Sequence, residues 1–232
     1  MRTRLILTAA VATITMSVTS LPLSGASSSS LSGKSAAQVI SVSKTDTVAR
    51  QYGQVVVSAT LGKSKLTEVV KLGPSFGVET IDLPSLKASG SLVNVGGALY
   101  AKGNAGFLSV QLNASDAAAK KWAGKWIKVP GSDENYTTLA AGLTMSTGMS
   151  SIYPTSKLSL GKQTSWKGVS VVEVDGMNSG TKTKVFVAAA SPHVIVAATQ
   201  EAASTVMETS KYATPFSVAV PTGWTLLSAT GI

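Results

Sequence analysis

Short runs that alternate between apolar and polar residues occupy both ends of this 232-residue chain. An alternation of period two buries one face of a strand and leaves the other in water, so each run predicts a strand. Glycine, Lys-Ser or proline ends the early runs, and Gly96-Gly97 is a hairpin dipeptide. The runs are Gln54–Gly62, Lys65–Gly73, Phe76–Leu83, Ser91–Asn104, Lys157–Gly176, Thr181–Ala190, His193–Gln200 and Phe216–Pro221. Together they predict an antiparallel sheet.

The middle of the chain has a helical character instead. Asn104–Trp126 is rich in Ala and Leu, and Ser115 before Asp116 is a helix-capping residue. Asn135–Pro154 places apolar side chains at roughly helical spacing, and a further short helix is predicted near residues 36–43. Strands on both sides of a helical insertion favour an α+β architecture.

The N-terminus has the pattern of a secretory signal peptide. Arg2 and Arg4 precede the apolar stretch Leu5–Val18, whose 14 residues fall short of the roughly 20 that span a bilayer. Ser24 and Ala26 provide the small residues of a cleavage site. We therefore predict a signal peptide over residues 1–26, a Ser-rich flexible tether over residues 27–35 and a single domain over residues 36–232.

Composition narrows the chemistry of this domain. The chain has no cysteine and one histidine, so it forms no disulfide, and a metal site or other cofactor is not expected. The net charge of +9 would draw the protein toward anionic lipid headgroups or wall polymers in a salt-dependent way, although it also serves solubility. Export and the lack of any known binding motif argue against nucleic acid. We expect a monomer.

Several segments together resemble one known family. Val95–Leu108 contains G-x-L-Y-x-K, and Ala123–Pro130 contains W-x-x-V-P. With Lys167–Gly176 and Ser191–Thr199, they occur in an order that resembles the LppX/LprG-type actinobacterial lipoproteins over residues 35–221. The resemblance implies a LolA-like fold, a strongly curved antiparallel β half-barrel with helices on its concave side.

The resemblance also implies a function. Members of this family hold acyl chains of envelope lipids or lipoglycans in an apolar cavity between sheet and helices, and a lipidated cysteine anchors them. In this chain Ala26 follows Leu23-Ser24-Gly25 at the place of that cysteine. We therefore predict a secreted, non-enzymatic lipid-binding carrier that is not lipid-anchored.

Apolar residues of the helical middle are the candidates for lining such a cavity, although each could equally be ordinary core. Methionine suits a site that adapts to varied chains, and the tryptophans beside Lys120, Lys121, Lys125 and Lys128 suit transient contact with an anionic membrane. If their segment is helical, Trp122 and Trp126 share one face. The candidate ligand-binding residues are Phe107, Leu108, Val110, Leu112, Trp122, Trp126, Leu139, Leu143, Met145, Met149, Ile152 and Tyr153.

The sequence is also compatible with two other functions. The first is an envelope interaction or sensor module of the same fold, whose cavity would be filled by its own side chains rather than being several hundred Å³ of empty space. The second is a hydrolase in which His193 meets a distant Ser and acid, but no G-x-S-x-G motif is present. Glu173 and Asp175 share a strand face, which is more typical of a solvated surface than of a glycosidase pair.

Overall fold

The structure is a computed structural model that describes residues 30–61, 64–133, 136–201 and 204–232. The predicted signal peptide, Ala26 and the first three residues of the predicted tether lie outside these described residues. Within the tether, Leu31 is buried against the main core and Ser35 caps the first helix. The end of this Ser-rich stretch therefore packs with the domain.

Among the described residues, twelve strands form one sheet, and five α-helices and two 3-10 helices accompany it. The strands are β1 (Gly53–Leu61), β2 (Ser64–Leu72), β3 (Gly77–Leu83), β4 (Ala88–Val95), β5 (Ala98–Gly103), β6 (Ile127–Pro130), β7 (Ser156–Trp166), β8 (Val169–Asn178), β9 (Thr181–Ala188), β10 (Ile195–Gln200), β11 (Thr205–Ser210) and β12 (Thr225–Leu226). The α-helices are α1 (Ala36–Val48), α2 (Ala105–Gln111), α3 (Asp116–Trp122), α4 (Tyr136–Ala140) and α5 (Met145–Ser150), and the 3-10 helices are Pro84–Leu86 and Leu227–Ala229.

The sheet consists of two meanders that meet at one central pair of strands. Its order is β12-β6-β5-β4-β3-β2-β1-β11-β10-β9-β8-β7. Neighbours are antiparallel except for β12, which pairs parallel to β6. The central pair joins β1 to β11, with Gln54 opposite Ser210 and Ser58 opposite Val206. The result is the open, strongly curved α+β half-barrel that the resemblance implies.

The inner, concave face of the sheet carries the main core. In β2, for example, Leu66, Val70 and Leu72 are buried, whereas Lys65 and Lys71 are exposed. Helices cover this face: α1 packs on α5, β7, β8 and β10, and α2 packs on β4 and β5. The apolar face predicted from the alternation is therefore the one that the helices bury.

Local capping determines where the helices begin. Ser35 and Gln38 form a reciprocal capping box at α1, and the Asn104 side chain accepts the N–H of Phe107 at 2.9 Å in α2. Ser115 caps α3, as predicted. The predicted helical region Asn135–Pro154 is broken by Gly142, whose φ of +85° reverses the chain. No helix in the described part of the chain is both long enough and apolar enough to cross a bilayer.

The C-terminal segment differs from the prediction. Phe216–Pro221 forms no strand, because this segment leaves the sheet after β11 and is bounded by Pro215 and Pro221, which have no N–H to donate. Val218 packs instead on the outer, convex face against Val93, Ala98 and Tyr100. A strand that the sequence did not predict, β11, takes the place beside β1.

One edge of the sheet is formed by β12, and the other is formed by the long strand β7. Most of its 11 residues are exposed, and β8 is its only partner among the described strands. The register between β7 and β8 shifts twice, between Ser156 and Ser159 and again between Leu160 and Gln163. Lys157 and Lys162 lie on the strand and Lys167 directly follows it.

Candidate functional site

An internal cavity of about 520 Å³ lies between the concave face and the α4–α5 region. Its wall is largely aliphatic, and strands β1 to β4 and β11 provide one side of it. The sheet residues that contribute most clearly are Val55, Val57, Ala59, Leu66, Val70 and Leu92. Volume and lining are those of a small-molecule site, which is typically about 300–1,000 Å³ and mostly apolar.

The cavity reaches the protein surface at one end. Thr138 and Ala141, in and after α4, line it and are exposed to solvent, as is Ser179 in the β8–β9 turn. Polar residues at neighbouring strand ends, including Gln200 and Thr205, line the same region. The opening of the cavity therefore lies between α4 and the β8–β9 turn.

Two glutamates interrupt the aliphatic wall. Glu68 of β2 is flanked across the sheet by Val57 and Ile81, and Glu79 of β3 is flanked by Val70 and Leu92. The glutamates are thus diagonal neighbours on the concave face, a relation that places side chains within about 7–8 Å of each other. Both line the cavity.

The environment of these carboxyls favours their protonated form. Burial raises the pKa of Glu68 to about 7, and burial together with the negative charge of Glu68 raises the pKa of Glu79 to about 8. Neither carboxyl forms a hydrogen bond or an ion pair with any residue that the structure describes. Both side chains are half-buried, and both face the cavity.

This pair predicts that the ligand-free protein loses stability as the pH rises. Below about pH 4.5 the carboxyls are protonated in both states, but between there and about pH 8 the unfolded chain releases protons that the folded chain retains. We expect the free energy of unfolding to fall by at least about 2 kcal/mol between about pH 5 and pH 9. Urea unfolding at several pH values measures it. The double variant Glu68→Gln/Glu79→Gln should flatten the dependence, whereas the exposed Asp82→Asn should keep it; equal slopes in all three proteins would contradict the assignment.

Three of the sequence-predicted residues line the cavity. Leu139 of α4, Leu143 before α5 and Ile152 after α5 are buried and form the helical side of its wall, opposite the sheet. They belong to the segment in which the apolar residues follow roughly helical spacing. Whether they contact a ligand remains a prediction.

Most of the other candidates lie in the core beside the cavity rather than on its wall. Met145, Met149 and Tyr153 are buried in or just after α5, and the two methionines pack against Gly53. Phe107, Leu108 and Leu112 are buried in and after α2, where the half-buried Val110 packs on the same core. Their role as ligand contacts also remains a prediction.

The two tryptophans lie in different surroundings, contrary to the shared helical face that their spacing suggested. Helix α3 ends at Trp122, and Gly124, with φ of +75°, turns the chain before β6. Trp122 packs on the main core and donates its indole N–H to the carbonyl of Thr230 at 2.9 Å. Trp126 packs in the outer cluster with Tyr100.

Sequence reasoning missed the sheet side of the cavity, including both glutamates. A signal was present: in "KLTEVVKL", Glu68 occupies the same alternating face as Leu66, Val70 and Leu72. A lone acid on an otherwise apolar strand face indicates either a buried polar network or a site.

Tyr153 connects α1 to the segment that follows α5. Its hydroxyl lies 2.7 Å from Ser43 Oγ and 3.1 Å from Thr47 Oγ1, and all three residues are buried. Burial raises the pKa of Tyr153 to about 12, so the hydroxyl stays neutral at any physiological pH. The contact holds the segment that follows α5 against α1.

We expect Tyr153→Phe to lower the free energy of unfolding by about 1–2 kcal/mol, because the Ser43 and Thr47 hydroxyls lose a buried partner. Tyr52→Phe is the control, since the Tyr52 hydroxyl bonds to no described residue, and its effect should stay within about 0.5 kcal/mol. Chemical denaturation of both variants measures the difference. Equal stability of Tyr153→Phe and the parent protein would rule out this contribution.

The remaining polar candidates have structural contacts. His193 is buried, its Nδ1 lies 3.0 Å from the Ala188 carbonyl oxygen, and its backbone N–H donates to the Asp46 carboxylate at 2.8 Å. Lys184 bridges Glu173 at 2.9 Å and Asp175 at 3.6 Å. Among the described residues, no group of three or more His, Asp or Glu side chains is arranged to hold a metal ion.

No protein-family model matches the sequence, and no curated protein matches it. Among solved structures, the fold is similar to the lipoprotein LppX of Mycobacterium tuberculosis, with a TM-score of 0.50 and 13% identity, over 79% of this chain and 98% of that one. An uncharacterised conserved protein from Thermus thermophilus aligns with a TM-score of 0.46 and 9% identity, over 83% of this chain and 98% of that one. The chain therefore has the fold of the LppX-type lipoproteins, as its sequence resemblance predicted.

Proposed function

We propose that this protein is a secreted, non-enzymatic carrier that holds the acyl chains of a lipid or lipoglycan in its cavity. The observation that carries the proposal is the aliphatic cavity of about 520 Å³ with an opening to solvent. Transfer of each CH₂ group from water into such a cavity contributes about 0.8 kcal/mol to the binding free energy, so a long acyl chain binds without a charged partner. The fold shared with a lipoprotein is consistent with this role.

The same cavity argues against the interaction or sensor module. That alternative requires the space between sheet and helices to be filled by the protein's own side chains. Large buried side chains such as Phe107, Met149 and Tyr153 do fill the regions on either side, yet about 520 Å³ stays empty between them. Empty apolar volume of this size lowers stability unless a ligand occupies it, which favours the carrier.

In this proposal the protein works in solution outside the cytoplasm. The predicted signal peptide exports it, and Ala26 at the place of the lipidated cysteine leaves it without an anchor. It must therefore meet membranes transiently to load and unload. Its outer face offers a basic aromatic surface for such contact, which consists of Lys102, Trp126, Lys128 and Trp224, with the buried Tyr100 beneath them.

Contact with anionic bilayers is testable through this basic aromatic surface. Lys128 Nζ lies 4.4 Å from the ring centre of Trp224, which is 39% exposed. We expect the protein to co-sediment with phosphatidylglycerol vesicles but not with phosphatidylcholine vesicles, and binding to fall as salt increases. Lys128→Gln/Trp224→Ala should weaken this binding, whereas equal binding to both vesicle types would exclude an electrostatic mode.

The decisive experiment for the carrier is native mass spectrometry of the full chain after export and purification from the secretion medium, followed by organic extraction. A stoichiometric adduct that extracts as lipid is the expected result, and it identifies the class of cargo. A clean protein mass that stays unchanged after incubation with envelope lipids would overturn the proposal.

A further inference from the structure

The carboxyls of Glu68 and Glu79 are the only ionisable side chains among the described residues that line the cavity. The strand neighbours of both are aliphatic: Val57 and Ile81 for Glu68, and Val70 and Leu92 for Glu79. A purely hydrocarbon ligand would leave these groups buried without a partner, which is costly in an apolar environment. The wall therefore contains polar chemistry that a plain acyl chain does not need.

The sign of this chemistry is opposite to that of the protein as a whole. The chain has 20 basic and 11 acidic residues, yet no lysine or arginine is found among the described residues of the cavity wall. Lys65 and Lys71 of β2 are exposed, whereas Glu68 of the same strand lines the cavity. On β2, therefore, the basic side chains meet solvent and the acidic one faces the ligand space.

We propose that the cavity recognises a long-chain amphiphile with a protonated amine, and that the ammonium group is held between Glu68 and Glu79. This inference rests on the proposed carrier function and specifies its ligand class. The empty cavity favours the protonated form of both carboxyls, but a positive charge beside them favours the ionised form, so binding of the ammonium releases protons from them. The ammonium has three N–H donors and no acceptor, so it can then donate to both carboxylates at once. Such charge-assisted hydrogen bonds are roughly twice as strong as neutral ones, and the low dielectric of the cavity strengthens them further.

The same arrangement disfavours other amphiphiles. A fatty carboxylate or a phosphate at this depth would be an anion buried without any described basic partner, and it would repel the glutamates wherever they are ionised. A methyl ester is uncharged and can accept only a neutral hydrogen bond from a protonated carboxyl, and a hydrocarbon can accept none. The glutamates therefore act as a selectivity element within an otherwise permissive apolar cavity.

The test compares ligands of equal chain length on the delipidated full-length mature protein at pH 7. Dodecylamine, methyl dodecanoate and dodecanoate are titrated by calorimetry into the parent protein, Glu68→Gln/Glu79→Gln and the control Asp82→Asn, which removes a charge from the exposed face of β3. We expect the parent and the control to bind dodecylamine at least about tenfold more tightly than methyl dodecanoate, and to bind dodecanoate most weakly. The double variant should lose this order while it still binds the ester.

The outcomes separate this inference from the function on which it rests. If the ester and the amine bind the parent equally, or if the double variant keeps the preference for the amine, the selectivity is overturned and the carrier function stands. If none of the three ligands binds any of the proteins, the carrier function fails and the selectivity fails with it. Circular dichroism of each variant establishes that a loss of preference is not a loss of fold.

Discussion

Phe107→Ala is expected to lower the free energy of unfolding by about 3–5 kcal/mol, the largest stability effect of any substitution considered for this protein. The Phe107 ring is fully buried where α2 meets β4 and β5. Gly90 and Gly103 on those strands leave the space that the ring occupies. A Cβ on Gly90 would lie 2.5 Å from Cγ of the ring, and a Cβ on Gly103 would clash with Cδ1 of the same ring. Alanine would leave a cavity that these rigid strands cannot close.

Equilibrium denaturation in urea measures this loss, and Val110→Ala in the same helix is the control. Val110 is only half-buried, so its truncation should cost about 1 kcal/mol. Gly103→Ala tests the same contact from the strand side and should also destabilise, through overpacking. If Phe107→Ala instead kept its stability and lost ligand binding, Phe107 would be a wall residue rather than core.

Ala59→Trp is expected to weaken the binding of a long-chain ligand at least tenfold, about 1.4 kcal/mol or more in binding free energy. Ala59 is 5% exposed and lines the cavity on β1, so an indole at this position would take up much of the roughly 520 Å³ now empty. The effect arises from lost cavity volume, because each ligand CH₂ group that can no longer be buried removes about 0.8 kcal/mol from the binding free energy.

Ser58→Trp provides the matched control for this experiment. Ser58 is the preceding residue of β1 and is exposed on the opposite face, so the same indole there should leave binding unchanged. Displacement of a fluorescent acyl probe reports affinity, and a thermal melt shows that both variants are folded. Undiminished binding by folded Ala59→Trp would show that the ligand does not occupy this cavity.

Local patterns in the sequence predicted most of the fold. Alternating residues indicated β1, β2 and β3 to within a residue or two, Gly96-Gly97 indicated the β4–β5 hairpin, and Ser115 indicated the start of α3. Each of these features depends on contacts close in sequence. By contrast, β11 joins β1 across some 150 residues of chain, and no local pattern distinguishes it from the unpaired Phe216–Pro221.

The candidate site was predictable only on its helical side. Leu139, Leu143 and Ile152 line the cavity, but their pattern is the same as that of core residues such as Met149, because helical spacing indicates a buried face and not what is buried against it. Empty volume is a property of the packed structure. The acidic pair could not be predicted in this way, because the register of β2 and β3 brings Glu68 and Glu79 together from separate sequence runs.

Strand β7, an edge of the sheet in the described part of the chain, bears on self-association. A flat strand of 11 residues with open hydrogen-bonding groups is a template on which a second molecule could add its own strand, the first step toward aggregation. The two register shifts break the even spacing that such pairing needs, and Lys157 and Lys162 would confront their own copies with like charge. An irregular, basic edge of this kind disfavours edge-to-edge pairing in a chain that has no disulfides.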